Sequence, residues 1–343
     1  MHPQWKQFLS DNSVTTNSPL ATNENILVDL SHLSIIEAKG EDCDDFLQGQ
    51  LTNDIRLLTP AMGQLSSYCS PKGRMLALMR MFKSGDSTFM LLPSEILEAT
   101  LKRLTMFVMR SKVSMTDVSD QWVCFGISGA NAKSALQQHI SPLPEAGSDV
   151  TSQNGTTVLS LSSHQPRYIV ITSADRAQEI WRSLSTQFTI SSKSQWDLLD
   201  IEVGLPNIVA ATIEAFVPQM VNLHTLNGVN FKKGCYTGQE VIARMQYLGK
   251  LKRRMYHAHV ETDGAPMAGD EIESPQSSSG QGAGRIVTAA PGADGGYELL
   301  IVAEIKSAES GTLHLKGDEN AILTIIDLPY SVEATEQSES MDS

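Results

Sequence analysis

The sequence predicts an α+β fold: two α/β units of ferredoxin-like element order followed by a small antiparallel β-barrel. Three observations carry that expectation. Up to about residue 201, runs with strand character alternate with runs of helical spacing. Beyond residue 254 the chain is Gly-punctuated strand with almost no helical spacing. Its 343 residues exceed one domain at roughly 100–200 residues each, and a composition of 41% hydrophobic and 19% charged residues suits packed cores.

Taken in order, residues 1–25 are polar and Ser/Thr/Asn-rich, and read as a flexible N-terminal arm. ILVDLSHLSIIEA (26–38) is apolar and β-branched enough for a strand, and EDCDDFLQGQL (41–51) has acids where a helix N-terminus favours them. Strand-like runs at 64–70, 74–82 and 88–92 are separated by Pro71-Lys72-Gly73 and Ser84-Gly85-Asp86 turns. Ser94 caps a helix, and 112–118 returns to strand, closing an α+β domain over 26–120. From Gln121 a second unit reads strand (122–128), helix (130–139), strands (156–161 and 167–172), helix (174–184) and strand (188–191). That βαββαβ order marks a ferredoxin-like domain over 121–193, similar to the first unit in element order but not in sequence. Residues 194–253 begin with a helix, continue as motif-rich loops and complete the 26–120 domain; 254–330 is the barrel, and 331–343, with four acids and no base, reads as a disordered tail.

The net charge of −13 argues against a whole-surface nucleic-acid binder. Cys43, Cys69, Cys124 and Cys235 are scattered without CxxC or CxxH spacing, which excludes a zinc ribbon and a disulfide scaffold. The start of the chain lacks a basic segment followed by an apolar core, and no apolar run approaches transmembrane length. The expectation is a soluble protein of a reducing compartment, without membrane association. His257 and His259 share one face of a strand but have no third ligand nearby, so no metal is expected.

The densest signal lies at 231–257, where seven basic residues accompany a single acid, Glu240. Such local potential can hold a polyanion or a carboxylate-tailed ligand on an acidic protein, although charge alone fits a solvated linker equally well. Within it, Gly234 and Gly238 permit turns closed to other residues. Lys232 and Lys233 would favour the thiolate of Cys235. A lone cysteine is more often a small buried hydrophobe; two lysines and two glycines around this one point to functional use. No Gly-Lys-Ser/Thr follows the glycines, so the segment is not a P-loop.

FKKGCYTGQEVIAR (231–244) resembles the signature of the YgfZ family, folate-binding proteins linked to tRNA modification and iron–sulfur protein maintenance. SQWDLLDIEVGLP (194–206), FLQGQLTND (46–54), PKGRM (71–75) and LPYS (328–331) match the same family in the same order, so the resemblance covers nearly everything after the first 25 residues. It implies a three-domain fold similar to the glycine-cleavage T-protein, a tetrahydrofolate-dependent aminomethyltransferase, with a central folate site and a terminal β-barrel. It also implies tetrahydrofolate or a one-carbon derivative as cofactor.

A pterin is a flat heterocycle suited by an aromatic platform and by a carboxylate at its donor edge. Trp196 matches the family's folate-contacting tryptophan, and Glu202 the pterin-binding glutamate of the T-protein relatives; without the resemblance Trp196 would read as a helix-face core residue. Cys235 is the implied reactive thiol and Lys233 its electrostatic partner. Two positions depart from the pattern. Leu33 stands where a second folate tryptophan is expected, with Trp5, Tyr68 or Phe82 as candidates to compensate. Where the aminomethyltransferases carry an acid acting on the folate amine, Arg74-Met75-Leu76-Ala77-Leu78 offers none.

The expected protein is therefore a cytoplasmic, monomeric folate binder that supports tRNA modification indirectly, through iron–sulfur enzymes of the tRNA methylthiotransferase type. The resemblance adds a regulatory link to chromosomal replication initiation. The alternatives are a folate-dependent aminomethyl- or methyltransferase, which the missing acid disfavours, and a non-catalytic RNA-binding module, which the net charge disfavours.

Overall fold

The computed structural model describes residues 1–12, 21, 24–145, 149–247, 249, 251–277 and 282–332. Its first element corrects the flexible-arm expectation. Helix α1 (Pro3–Asp11) buries Trp5 and Phe8 completely or nearly so. Trp5 stacks on Phe8 and meets Trp181 edge-on, both at 5.2 Å between ring centroids, and its indole N–H donates to Asp29 at 2.8 Å. Two aromatic anchors outweigh a polar average, because each can bury on the order of 150–250 Å².

The run expected as one strand is two, β1 (Ile26–Asp29) and β2 (Leu33–Lys39), and they belong to different sheets. Asp29 accepts from both the backbone N–H and the hydroxyl of Ser31, an Asx-type turn that ends β1. After β2 come α2 (Cys43–Gln50), β3 (Gln64–Cys69), β4 (Met75–Ser84), β5 (Ser87–Pro93), α3 (Ser94–Met106) and β6 (Ser114–Asp117). Their sheet runs β3-β4-β5-β2-β6, antiparallel throughout. The second unit holds β7 (Val123–Ser128), α4 (Ala132–Gln137), β8 (Val150–Gln153), β9 (Thr156–Ser160), β10 (Arg167–Thr172), α5 (Ala174–Leu184) and β11 (Thr189–Ser191), in the order β11-β1-β7-β10-β9-β8.

Both sheets keep the fourth–first–third–second strand order of a ferredoxin-like unit, β6-β2-β5-β4 and β11-β7-β10-β9, each with one additional edge strand, β3 or β8. The second also takes β1 between β11 and β7. β1 suits a central place because it is apolar on both faces: Ile26 and Val28 enter the core between the two units, and Leu27 the core under α1, α4 and α5.

Next come α6 (Lys193–Glu202) and α7 (Gln239–Tyr247), the latter a helix where the sequence predicts loops, its Ile242 buried against Gly73. The chain then forms β12 (Arg253–Val260), β13 (Glu271–Glu273), β14 (Gly284–Pro291), β15 (Tyr297–Glu304), α8 (Ile305–Glu309), β16 (His314–Leu315), β17 (Asp318–Ile322) and β18 (Thr324–Ile326). These strands make the nearly closed antiparallel barrel expected from 254 onward, in the order β17-β16-β13-β14-β15-β12-β18. α6 ties the molecule together. Trp196 and Leu199 pack into the core between the α/β units, and Leu198 and Ile201 into the core shared by β4 and the barrel. Of the expected disordered tail, residues 333–343 lie outside the described residues.

Candidate functional site

The Cys235 loop is held by two of the other motifs. Lys233 is buried, and its ammonium donates to the carbonyls of Gln48 at 2.7 Å, Leu51 at 2.6 Å and Asn53 at 3.0 Å, at the C-terminal end of α2. It also lies 4.9 Å over the ring of the buried Tyr236. Burial pulls its pKa down to about 8, so it stays cationic at neutral pH. All three donors being taken, Lys233 pins the loop to residues 48–53, a role that its place two residues before a cysteine did not disclose. Thr52 reinforces the same junction, its hydroxyl donating to the Gly228 carbonyl at 2.7 Å and its own carbonyl accepting from Asn230 at 3.0 Å.

The other side of the loop rests on the Pro71-Lys72-Gly73 turn. Gly238 has φ +84°, and a Cβ there would stand 2.5 Å from the Ser70 carbonyl oxygen, so only glycine fits without displacement. Gly73, at φ +70°, faces Val241 and Ile242 of α7. Between these supports Cys235 is exposed, whereas Cys43, Cys69 and Cys124 are buried. Burial raises the Cys43 thiol to about 11 and the Cys69 thiol to about 12.

A second feature lies between the two α/β units, where a narrow cavity of about 80 Å³ is walled by Trp196 and Leu33, together with Arg80, Asp197, Asp200 and Asn207. Trp196 and Leu33, the two positions where the resemblance expects a folate-contacting tryptophan, thus line the same cavity. The indole is not an open stacking platform: the Arg167 guanidinium lies 3.9 Å from its ring centroid, and Gly126 abuts the ring so closely that a Cβ there would come within 2.3 Å. Arg167 is fully buried; it donates to the Trp196 carbonyl at 3.1 Å and pairs with Asp200 at 2.8 Å. The pair is close but poorly aligned, so Nη1 of Arg167 and Oδ1 of Asp200 both lack a well-directed hydrogen bond. Burial lowers the pKa of Arg167, and Asp200 offsets part of that. Burial also raises the Asp197 carboxyl and depresses His32 to about 3.

Glu202 is half-buried and is not on that wall; the carboxylates there are Asp197 and Asp200. The reason is helical geometry. Asp200 is four residues from Trp196 and shares its face, whereas a spacing of six turns Glu202 away. That i, i+4 spacing was readable in the sequence, but Arg167 and Arg80 carried no local signal, being cations on otherwise apolar strands. None of the residues expected to compensate for Leu33 lines this cavity: Trp5, on α1, packs against Phe8 and Trp181, Tyr68 faces α3, and Phe82 stacks on Phe89 at 5.2 Å. Neither Cys235 nor Lys233 lines the cavity.

Two further motifs meet beside α6. The Tyr330 hydroxyl donates to the Gly204 carbonyl at 2.7 Å, joining LPYS to the GLP turn. On the barrel, His257 and His259 clasp Glu298 at 2.6 and 2.9 Å, and among the described residues no cluster of His, Cys, Asp and Glu could hold a metal ion. No described helix is long and apolar enough to cross a membrane.

Comparisons with known proteins agree with this arrangement. A family model described as the GCVT N-terminal domain matches residues 4–152. The chain is 31% identical over 327 residues to a tRNA-modifying protein YgfZ of Yersinia enterocolitica, covering 94% of this chain and 99% of that one. It is 33% identical to the protein of the same name from Photorhabdus laumondii, over 89% of this chain and 92% of that one. Among solved structures, the glycine cleavage system aminomethyltransferase T from Bartonella henselae superimposes with a TM-score of 0.75, covering 96% of this chain and 97% of that one at 14% identity. The chain has the T-protein fold, and it belongs to the YgfZ family.

Proposed function

We propose that this protein binds tetrahydrofolate or a one-carbon derivative at the Trp196 cavity and supports tRNA modification, with Cys235 as its working thiol. The observation that carries the reading is the cavity wall itself. Trp196 and Leu33 bring an apolar surface, while Arg80 and Asp200 bring a guanidinium and a carboxylate, and Oδ1 of Asp200, ion-paired with the buried Arg167 at 2.8 Å, lacks a well-directed hydrogen bond. A pterin edge presents donors and acceptors side by side, so a carboxylate and a guanidinium suit it. Tetrahydrofolate would supply a reduced pterin and a carrier for one-carbon units. The donor set fits that group, but the space of about 80 Å³ is far below the roughly 300–1,000 Å³ of small-molecule sites. Entry therefore requires the wall to open. Asp200 takes the carboxylate role first assigned to Glu202, which acts at longer range on Arg167.

The relatives' name supports the tRNA link, and the exposed, doubly anchored Cys235 suits exchange with a partner protein better than packing. Action through iron–sulfur enzymes on tRNA is the finer reading carried with it, as is the link to replication initiation. An aminomethyltransferase is disfavoured. Residues 74–78 bring no acid, and Arg74 of that segment is engaged by the Ala215 carbonyl at 2.7 Å.

The test is a fluorescence titration with tetrahydrofolate, paired with mass spectrometry of tRNA from a deletion strain carrying each variant. Asp200→Asn should weaken binding about tenfold or more and Glu202→Gln far less, as expected for a charge-assisted bond worth about 1.5–3 kcal/mol. Cys235→Ser should bind folate normally and fail to restore methylthio-modified adenosine. Equal affinity in wild type and Asp200→Asn, or full restoration by Cys235→Ser, would sink the corresponding half of the proposal.

A further inference from the structure

A cleft of about 980 Å³ lies between the barrel and the Pro71-Lys72-Gly73 turn, and the site described above leaves it unused. Five cations line it: Lys72, Arg74, Lys252, Arg253 and Arg285. Three acids, Glu214, Glu271 and Glu304, accompany them, but two are already neutralised. Arg253 pairs with Glu304 at 3.1 Å, and Glu271 is shared by Arg285 at 3.5 Å and Lys316 at 2.5 Å. Lys72 and Lys252 are exposed, with no partner for either ammonium among the described residues. Arg74 has a carbonyl partner and, among the described residues, no acid. Three cations thus face one unpaired carboxylate, in a chain whose net charge is −13.

The guanidiniums are also held in place. Arg74 is fixed by the Ala215 carbonyl, and Arg253 by the Gly282 carbonyl at 2.6 Å. A guanidinium oriented in advance loses little freedom when it grips a phosphate, and lysines alongside act as point charges. The cleft absorbs part of the basic run at 231–257, since Lys252 and Arg253 point their charge here while Lys233 spends its own inside the protein. It also adjoins the Cys235 loop, because the turn that bears Lys72 is the one on which Gly238 packs.

We infer that this cleft binds the phosphodiester backbone of a single-stranded or looped RNA segment. The reading goes beyond the indirect tRNA link proposed above by giving the protein its own RNA contact, local enough to coexist with an acidic surface. About three phosphate contacts predict a log–log salt slope near −2, at about 0.7 per contact for a single strand.

Fluorescence anisotropy with a labelled 17-nucleotide RNA hairpin, from 50 to 200 mM KCl, tests it. The Lys72→Ala/Lys252→Ala double variant should lose about tenfold in affinity at 50 mM and flatten the slope by about 1.4. Lys133→Ala, an exposed lysine on α4, should match wild type. The tetrahydrofolate titration on the same samples should be unchanged in the double variant, which separates failure of the cleft from failure of the folate reading. Absence of binding at 50 mM would overturn the inference, as would equal binding by the double variant. Competition by poly-L-glutamate as effective as by unlabelled RNA at equal charge would also overturn it, assigning the cleft to acidic protein segments instead.

Discussion

Replacing Lys233 with methionine keeps the length of the side chain and removes its charge, so it isolates what the ammonium does. Three charge-assisted hydrogen bonds are lost, to Gln48, Leu51 and Asn53. At about 1.5–3 kcal/mol each their gross worth is about 5–9 kcal/mol. Against this stands the cost of burying the cation: a pKa drawn down from 10.5 to about 8 corresponds to about 3 kcal/mol. The net loss should therefore be at least about 2 kcal/mol, or a fall in thermal midpoint of several degrees. Differential scanning fluorimetry at pH 7 measures it, with Cys235→Ser as the companion. Replacing the exposed cysteine should leave the stability within about 0.5 kcal/mol of wild type. If Lys233 serves the loop as an anchor, its loss of tRNA modification in cells should follow its loss of stability and be rescued at lower temperature, whereas that of Cys235→Ser should not. An unchanged midpoint with abolished function would refute this, and would return Lys233 to the role of electrostatic partner of Cys235.

Iodoacetamide at pH 7.5 should label Cys235 far faster than Cys43 or Cys69, whose thiols burial holds near 11 and 12; peptide mass spectrometry showing comparable labelling would contradict the buried assignments. Gly238→Ala should destabilise the loop by about 1–3 kcal/mol, because both its φ of +84° and the Ser70 carbonyl oppose a side chain; limited proteolysis near 235 reads the effect. The barrel cluster gives a pH dependence. Burial opposes charge on His259, yet its hydrogen bonds to the Glu298 and Glu261 carboxylates hold its pKa above 6.5; burial likewise opposes charge on Glu298, yet His257 and His259 hold it below 4.5. The His259 contribution is complete below about 6.5 and fades as pH rises through its folded value; that of Glu298 is complete above about 4.5 and fades as pH falls through its own. Stability from this cluster should peak between those limits, and His259→Gln should remove the decline on the alkaline side.

The sequence by itself determined most elements of the two α/β units, the barrel, the Cys235 loop and the helix bearing Trp196, though not α1 or α7, because turn chemistry and hydrophobic period are written within 5–15 consecutive residues. Only the tertiary structure decided which sheet each strand joins and what each polar group does. The apolar run at 26–38 reads as one strand until the Asp29–Ser31 turn sends its halves to different sheets. Lys233 beside Cys235 reads as an electrostatic partner until residues 180–185 positions away supply carbonyls for its donors. Asp200, Arg80 and Leu33 share a cavity, and Lys72 and Lys252 a cleft, through contacts that no local pattern encodes. A side chain's preferences are local, but its partners, its desolvation and hence its function depend on what the folded chain brings within a few ångströms of it.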